Sequence, residues 1–375
     1  MQAAPVSAVD VRAWLAAVLR ASDGSVLPAP AAPPAQVLAI AEREGVTALV
    51  HERLREQPDA GALHAAFAEA TRRQAMWSLW LRAETARLLA ALQAAGLRTL
   101  VLKGVALAGW LYPAAHLRAC GDLDLLFASR ADAQRAMEVL DGFGYPCGYA
   151  QGGHAYEQVR KPAADAAQAL EVDVHWRLLN APVFADALDF EALWSAAISI
   201  PALGPHARGL GPVHALLHAA MNRAVNLYTD VGDLLKCLYD IHLLAARFDD
   251  AAWAAVVQAA SQRQLCGVVQ AALAAAQAQL GTTVPGEVMA ALAQRITAEP
   301  LDPQRLGDWS YMQRRSVDML PFGQRLRWML GRLVPTAGYL RARHGADASV
   351  PVLLLRHWWR FVLRLSGRHS GPGSA

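Results

Sequence analysis

The sequence predicts an α+β fold in which a small mixed β-sheet with covering helices is flanked by helical regions on its N-terminal and C-terminal sides. Alanine-rich and leucine-rich segments with helical spacing dominate both ends of the 375-residue chain. Between them, over residues 98–178, short apolar runs alternate with amphipathic segments. The order strand, helix, strand, helix and hairpin is typical of a sheet whose faces are covered by helices.

Helical spacing covers residues 9–95, and we predict an N-terminal helical region over residues 1–96. Two amphipathic segments, VDVRAWLAAVLR and AQVLAIAEREG, lie on either side of a Pro-Ala linker at residues 28–35. A long periodic stretch then runs from residue 62 to residue 95. Gly96 follows it directly, and glycine commonly closes a helix because it adopts the left-handed backbone conformation without strain.

Residues 97–200 form the predicted core. The runs RTLVLKG (98–104) and DLDLLF (122–127) are rich in leucine and β-branched residues, which predicts strands. The segments GVALAGWLY (104–112) and ADAQRAMEVLDGFGY (131–145) return to helical spacing, and proline or glycine ends each of them. Strand and helix therefore alternate through the first half of the core.

A hairpin is expected in the second half of the core. The segments HAYEQVRK (154–161) and ALEVDVHWRL (169–178) alternate apolar and polar residues with a period of two. They flank the turn-like segment PAADAAQ at residues 162–168. We predict that they pair as antiparallel strands and complete the mixed sheet.

The remainder of the chain is predicted to be helical, as a helical domain over residues 201–300 and an arginine-rich helical extension over residues 301–375. Helical spacing within the domain places helices near residues 213–226, 230–247, 249–264 and 266–281.

Composition indicates a globular cytoplasmic protein. The 54% hydrophobic and 18% charged content excludes a disordered chain. The four cysteines show no CxxC pairing, which argues against a zinc ribbon or a disulfide scaffold and favours a reducing compartment. The N-terminus lacks the pattern of a signal peptide. No transmembrane segment is expected, because Arg356 and Arg360 interrupt the most apolar run, VPVLLLRHWWRFVLRL.

Positive charge is concentrated at the C-terminus, although the net charge of +3 is too small to indicate nucleic-acid binding by itself. From Pro321 to the end, one acid, Asp347, stands against nine arginines: Arg325, Arg327, Arg332, Arg341, Arg343, Arg356, Arg360, Arg364 and Arg368. This tail fits an anionic partner, such as a membrane surface or a nucleic acid. The alternative is a plain arginine-rich surface in a chain that has only three lysines.

Two carboxylates interrupt the apolar run DLDLLF. On a strand, Asp122 and Asp124 point to the same face, because side chains alternate with a period of two. Two like charges about 4 Å apart repel by roughly 4 kcal/mol at an effective dielectric of about 20. Something should therefore compensate them, unless the motif merely ends a strand near a turn.

The later segment EVDVHW supplies further polar groups. Glu171, Asp173 and His175 share one face of the predicted strand, opposite an apolar face. If the two strands are neighbours, Asp173 joins the earlier pair of acids, and three carboxylates raise at least one pKa. A hard cation such as Mg²⁺ resolves this conflict, and two ions suit an in-line phosphoryl displacement. A solvated hairpin face is the alternative.

Upstream residues suit a phosphate. Lys103 and Gly104 end the first strand and open the next helix, where free N–H groups and the helix dipole favour an anion. Gly104 allows close backbone approach, and Lys103 adds a compact positive charge. Arg118 could reach terminal phosphates with a bidentate fork. A simple turn explains the Lys-Gly pair equally well in isolation.

Taken together, LVLKGVALAGWLY, HLRACGDLDLLF and LEVDVHWRL resemble the uncharacterised bacterial nucleotidyltransferase family, a branch of the DNA polymerase beta-like nucleotidyltransferase superfamily. The resemblance covers residues 97–245 and is most specific between residues 101 and 177. It implies a polymerase-beta-like core, a D-x-D pair with a third acid on a neighbouring strand, two Mg²⁺ ions and a nucleoside triphosphate.

Residue by residue, the resemblance makes Asp122 and Asp124 ligands of both metals, and Asp173 completes the catalytic site as, or beside, the general base. It gives the triphosphate to four residues: Lys103, Gly104, Arg118 and Gly121. One departure is notable. The wider superfamily usually has Gly-Ser where this chain has Lys-Gly, which changes the phosphate-binding loop.

Polar residues on later helices form a second group of candidates. His214, His218 and Asn222 lie on one helical stripe, and the His-x3-His spacing suits zinc, although a polar stripe facing a cleft is the simpler interpretation. Three residues are expected to line the cleft: His175, His218 and Asp240. Trp328, Trp358 and Trp359 could stack on bases, or pack inward on an amphipathic helix.

The leading hypothesis is a cytoplasmic Mg²⁺-dependent nucleotidyltransferase that moves NMP, with AMP from ATP expected, to an unidentified acceptor. Two alternatives stay open. One is a non-catalytic nucleotide-binding or regulatory module. The other is an antitoxin-like or RNA-associated relative that grips nucleic acid through its arginine-rich tail.

Overall fold

Four helices precede the sheet in the computed structural model, which describes residues 7–365 except for 22–27, 29, 56–60, 149–154, 163–169, 230 and 346–347. They are α1 (Ala8–Arg20), α2 (Pro34–Glu44), α3 (Thr47–Leu54) and α4 (Gly61–Ala94). Ser7 starts α1 with a capping box, which satisfies free N–H groups of the first turn. Gly96 follows α4 with a φ of +72°, the left-handed conformation predicted for it.

A six-stranded mixed sheet forms the centre of the protein. Its elements are β1 (Thr99–Val101), α5 (Lys103–Trp110), β2 (Asp122–Phe127), α6 (Arg130–Gly142), β3 (Glu157–Arg160), β4 (Glu171–His175), α7 (Pro182–Ala185), α8 (Phe190–Ser195), β5 (Ile198–Ser199) and β6 (Arg208–Gly209). The strand order is β3-β4-β2-β1-β6-β5. Strands β2 and β4 run parallel, whereas β3 and β4 are antiparallel. The predicted α+β class with a mixed sheet is confirmed.

The predicted hairpin is present as β3 and β4, but most of its expected turn, residues 163–168, lies outside the described residues. Strands β5 and β6 were not predicted. Each has only two residues, which is too short to produce a periodic pattern.

The two faces of the sheet have different surroundings. On one face, Leu123, Leu125 and Phe127 of β2 pack into a hydrophobic core that also contains residues of α4 and α6. On the other face, Leu100 and Leu126 join the larger core formed with the N-terminal and C-terminal helices. The acidic side chains of β2 lie on this second face because they alternate with the leucines.

Helices make up the rest of the described chain. They are α9 (Pro212–Tyr228), α10 (Leu235–Ala245), α11 (Asp250–Gln262), α12 (Cys266–Leu280), α13 (Gly286–Ala293), α14 (Trp309–Met319), α15 (Phe322–Leu333), α16 (Ala337–His344) and α17 (Val350–Leu365). Four short 3₁₀ turns complete the described structure, at Ala115–Leu117, Pro201–Leu203, Ile296–Ala298 and Pro303–Arg305.

Three of the four helices predicted between residues 213 and 281 lie within two residues of their expected ends. The exception is α10, which was expected to begin at residue 230 and begins at Leu235. Gly232 has a φ of +76°, which is incompatible with a helix, so residues 231–234 form a turn and an extended segment instead.

All four cysteines are free, as the absence of a disulfide pattern predicts. Within the ranges given above, no helix has the length and apolarity that crossing a bilayer requires. The larger hydrophobic core contains residues of the N-terminal helices, of the sheet and of α9 to α14. The division into four regions stays a prediction.

Candidate metal and nucleotide site

The acids of β2 and β4 meet because the two strands are paired in parallel. Asp124 lies directly opposite Asp173, and Leu126 lies opposite His175. The side chains of Asp124, Asp173 and His175 therefore share one face of the sheet. One potential ligand atom of each lies within 4.8 Å of the others, and this is the one such group of three found among the described residues.

Asp122 lies at the rim of this group. Its side chain is 45% exposed, and its Oδ2 is 3.8 Å from the Nζ of Lys103. Asp122 is not one of the three residues that converge, although it projects from the same face of β2 as Asp124. The structure thus brings Asp124 and Asp173 together and leaves Asp122 at the exposed rim of the group.

Lys103 provides the positive charge nearest the acids. Its Nζ is 2.9 Å from Oδ1 of Asp124. The residue has a φ of +32°, a conformation that costs free energy in a residue other than glycine. The preceding Leu102 N–H donates to the Asp124 carbonyl at 3.0 Å, which fixes this bend next to β2. The strained backbone at Lys103 therefore places its ammonium group next to the carboxylate of Asp124.

Asp124 is ionised in this environment. It is 2% exposed, and burial opposes its charge, but Lys103 and His175 outweigh that effect and hold the pKa of the carboxyl well below its usual range. The pKa of Lys103 is raised for the complementary reason, because Asp124 and Asp122 overcome the cost of burying the ammonium group. The pair is a preformed charged contact.

Asp173 is the least satisfied acid of the group. Its Oδ1 is buried and has no hydrogen-bond partner among the described residues. Burial, followed by the negative charge of Asp124, raises the pKa of Asp173 to about 7. A buried oxygen without a partner, beside a second carboxylate, fits a divalent cation that prefers oxygen ligands.

His175 lies between two acids. Its Nε2 is 3.2 Å from Oδ1 of Asp124, and its Nδ1 is 3.4 Å from Oε2 of Glu157. Although burial opposes the charged ring, these two acids raise the pKa of His175. Sequence reasoning did not identify Glu157 as a site residue. The alternation of HAYEQVRK predicts the strand that contains Glu157. Glu157 is the direct partner of His175 in the hairpin, so the register of the two strands would have identified it.

His218 approaches the site from α9. The Nε2 of this buried ring has no hydrogen-bond partner among the described residues. Burial and the nearby ammonium of Lys103 lower the pKa of His218 to about 3, so the ring is neutral at pH 7. Lys103 and His218 both line a cavity of about 20 Å³, which has room for about one water molecule.

Arg118, which was expected to reach the triphosphate, forms a fork with Asp240 of α10. Its Nε and Nη2 donate to the two carboxylate oxygens of Asp240 at 2.8 and 2.7 Å, and Nη1 donates to the Ala119 carbonyl. Tyr112 donates its hydroxyl hydrogen to the same carboxylate at 2.7 Å. Arg118 and Asp240 are both buried, so this fork binds a protein carboxylate, and the role of Arg118 toward a triphosphate stays a prediction.

The two predicted phosphate-binding glycines differ in their surroundings. A Cβ on Gly104 would lie 3.3 Å from Sγ of Cys120, which is a tight contact at the start of α5. Gly121 has open space around its Cα, and no atom lies within 4 Å of the Cβ it lacks. Position 104 therefore has little room for a side chain, whereas Gly121 is exposed.

Comparison with known proteins identifies the family. A search of curated proteins and a search of solved structures find no significant match. Residues 30–281 match the model of a family described as uncharacterised nucleotidyltransferases. The matched segment includes the sheet, the converging acids and helices α9 and α10. The chain therefore belongs to this family of uncharacterised nucleotidyltransferases.

Proposed function

We propose that the protein transfers NMP, and specifically AMP from ATP, to a hydroxyl or phosphate oxygen of an acceptor in a Mg²⁺-dependent reaction that releases pyrophosphate. The pairing of Asp124 with Asp173 carries this proposal. It places an ionised carboxylate beside a buried carboxylate oxygen that has no hydrogen-bond partner among the described residues, in a chain that belongs to a family of nucleotidyltransferases.

Three carboxylates would hold Mg²⁺: Asp124, Asp173 and, from the rim, Asp122. When bound, the ions supply charge neutralisation for the triphosphate and for the attacking oxygen. His175 would hold Asp124 in place through Nε2, and Glu157 lies at ion-pair distance from the opposite side of the ring. The proposed core is of the polymerase-beta-like type.

Each reacting group has a protein partner in this proposal. The acceptor oxygen forms a bond to the α-phosphorus, the bond to the bridging oxygen breaks, and pyrophosphate leaves. Asp173 would act as, or beside, the general base that accepts the proton of an acceptor hydroxyl, because it lies on the metal-binding face opposite Asp124. The first turn of α5 and the open backbone at Gly121 offer N–H groups and space to the phosphates.

Incubation with ATP labelled at the α-phosphate, Mg²⁺ and a panel of acceptors tests the proposal. Transfer of label together with pyrophosphate release supports it, and parallel reactions with the other nucleotides identify the preferred base. Tight binding of Mg²⁺-ATP by calorimetry with no pyrophosphate release under any condition would instead support the non-catalytic binding module.

Adding Mg²⁺ should stabilise the protein, because an ion that binds only the folded state shifts the unfolding equilibrium. At a concentration 100 times Kd, one site adds about 2.7 kcal/mol to the free energy of unfolding. Differential scanning fluorimetry with EDTA and with Mg²⁺ measures the shift. Asp173→Asn should abolish it, whereas Asp186→Asn, at an acid that is 70% exposed, should retain it. Equal shifts in both variants would contradict the site.

Lys103→Met should increase the dependence on Mg²⁺. The ammonium group neutralises Asp124 and Asp122 in the metal-free protein, so its loss should lower the free energy of unfolding by about 2 kcal/mol. Mg²⁺ should recover more of this stability than it adds to the unchanged protein. Lys161→Met is the control, since Lys161 pairs with the exposed Glu171 at the same sheet. A Mg²⁺ shift no larger than in the unchanged protein would refute this role.

A further inference from the structure

Helices α15 and α17 present apolar stripes to solvent. On α15, Phe322, Leu326, Met329 and Leu333 recur at intervals of four, three and four residues, which is one face of a helix, and each is exposed. The exposed fraction of Phe322 is 88%. Apolar faces of this length are normally buried, so this one requires an explanation.

The exposed stripe on α17 has the same form. It consists of Val352, Leu355, Trp359 and Val362, at intervals of three, four and three residues. The opposite side of α17 is packed against the protein, since Leu353 is fully buried. Helix α17 is therefore packed on the protein through one side, and its apolar stripe lies on the other side.

The two stripes adjoin each other. Trp358 donates its indole N–H to the carbonyl of Leu333 at 2.6 Å. The ring of His357 lies 3.0 Å from the carbonyl of Arg332, at the same junction. The middle of α17 is thus fixed against the end of α15, and the apolar stripes with their neighbouring arginines form one surface, here called the basic apolar face.

Exposed arginines lie on the same two helices. Arg327 and Arg332 on α15, and Arg356 and Arg360 on α17, are exposed. The sequence from Pro321 onward has nine arginines and one acid, so this part of the chain carries a net positive charge. Leucine, tryptophan and phenylalanine next to arginine form the composition of helices that lie in the interface of a bilayer.

We propose that the basic apolar face binds the surface of an anionic lipid bilayer. The apolar side chains would enter the boundary between headgroups and acyl chains, while the arginines contact the anionic headgroups. Helix α17, about 24 Å long at 1.5 Å per residue, would lie parallel to the bilayer, because Arg356 and Arg360 interrupt its apolar sequence.

Charge complementarity selects this partner over two others. A symmetric contact with a second copy would bring together two segments that each have nine arginines and only one acid. A nucleic acid would neutralise the arginines and stack on the tryptophans, but it would leave the stripe of Leu326, Met329 and Leu333 in water. An anionic bilayer satisfies both the charges and the apolar side chains.

Flotation of the full chain with phosphatidylcholine vesicles, with and without phosphatidylglycerol, tests the proposal. Partitioning should be at least about tenfold stronger to the anionic vesicles and should fall with salt. Leu355→Glu should weaken it by about tenfold or more. Each neutralised arginine, in Arg356→Gln and Arg360→Gln, should weaken it by about fivefold.

Matched controls come from α4. Leu79→Glu changes a leucine that is 65% exposed, compared with 61% for Leu355, and should leave partitioning unchanged. Arg72→Gln is the corresponding control for charge. Equal binding to neutral and anionic vesicles, or a Leu355→Glu variant that partitions like the unchanged protein, would overturn the proposal. Absence of vesicle binding would also overturn the proposal. Self-association or binding to a single-stranded oligonucleotide in its place would identify the alternative partner.

Discussion

Replacing Asp124 with asparagine is expected to reduce NMP transfer by about a thousandfold or more, because the change removes a negative charge that would bind the divalent ion. Asp124 is the carboxylate that contacts both Lys103, at 2.9 Å, and His175, at 3.2 Å, and it lies opposite Asp173. A neutral amide cannot supply the charge that a divalent ion requires. Single-turnover transfer of α-labelled phosphate at saturating Mg²⁺ measures the loss.

A matched variant separates this effect from general damage to the sheet. Glu171 belongs to the same face of β4 as Asp173, but its side chain is 46% exposed and pairs with Lys161. Glu171→Gln should therefore retain activity within about twofold. Circular dichroism and thermal unfolding of Asp124→Asn would establish whether the measured molecules are folded. A folded Asp124→Asn protein with normal transfer would refute the assigned role.

The second large effect concerns stability. Arg118 and Asp240 form a buried bidentate pair, and removal of either partner leaves an uncompensated charge in the interior. Arg118→Met and Asp240→Leu should each lower the free energy of unfolding by about 3–5 kcal/mol. The double variant should cost much less than the sum of the two, because no buried charge is left. Urea unfolding of all four proteins measures the coupling.

The same four proteins distinguish two roles for Arg118. If the guanidinium serves the structure, the folded double variant should transfer NMP at nearly the unchanged rate. If it serves the triphosphate, as the resemblance implies, the double variant should be folded and strongly impaired. Additive losses of stability in the double variant would contradict the coupling between Arg118 and Asp240.

The convergence of Asp124 and Asp173 could be predicted from the sequence. Both acids alternate with leucine or valine on a strand, and burial of these leucines and valines in one core puts Asp124 and Asp173 together on the opposite face of the sheet. Long helices such as α4, α9 and α12 could be predicted for a related reason, since their apolar spacing persists over ten or more residues. Strands β5 and β6 could not be predicted, because a strand of two residues is too short to show a periodic pattern.

Other features of the site depend on contacts that no local pattern encodes. Arg118 and Asp240 are separated by 122 residues, and nothing in either segment identifies the other as its partner. The sequence predicted a lysine near a phosphate, but the contact of Lys103 with Asp124 depends on a backbone bend with positive φ. Glu157 becomes a site residue only through the register of β3 on β4.

The central claim is that Asp124 and Asp173 together hold a divalent ion. Its most direct test is a crystal structure of the full chain soaked with Mn²⁺ and a non-hydrolysable ATP analogue, with the ion located by anomalous scattering. The account predicts an anomalous peak within about 2.2 Å of a carboxylate oxygen of each residue, next to the triphosphate. A bound nucleotide whose ion is held by other side chains, with Asp124 still paired only to Lys103 and His175, would contradict it.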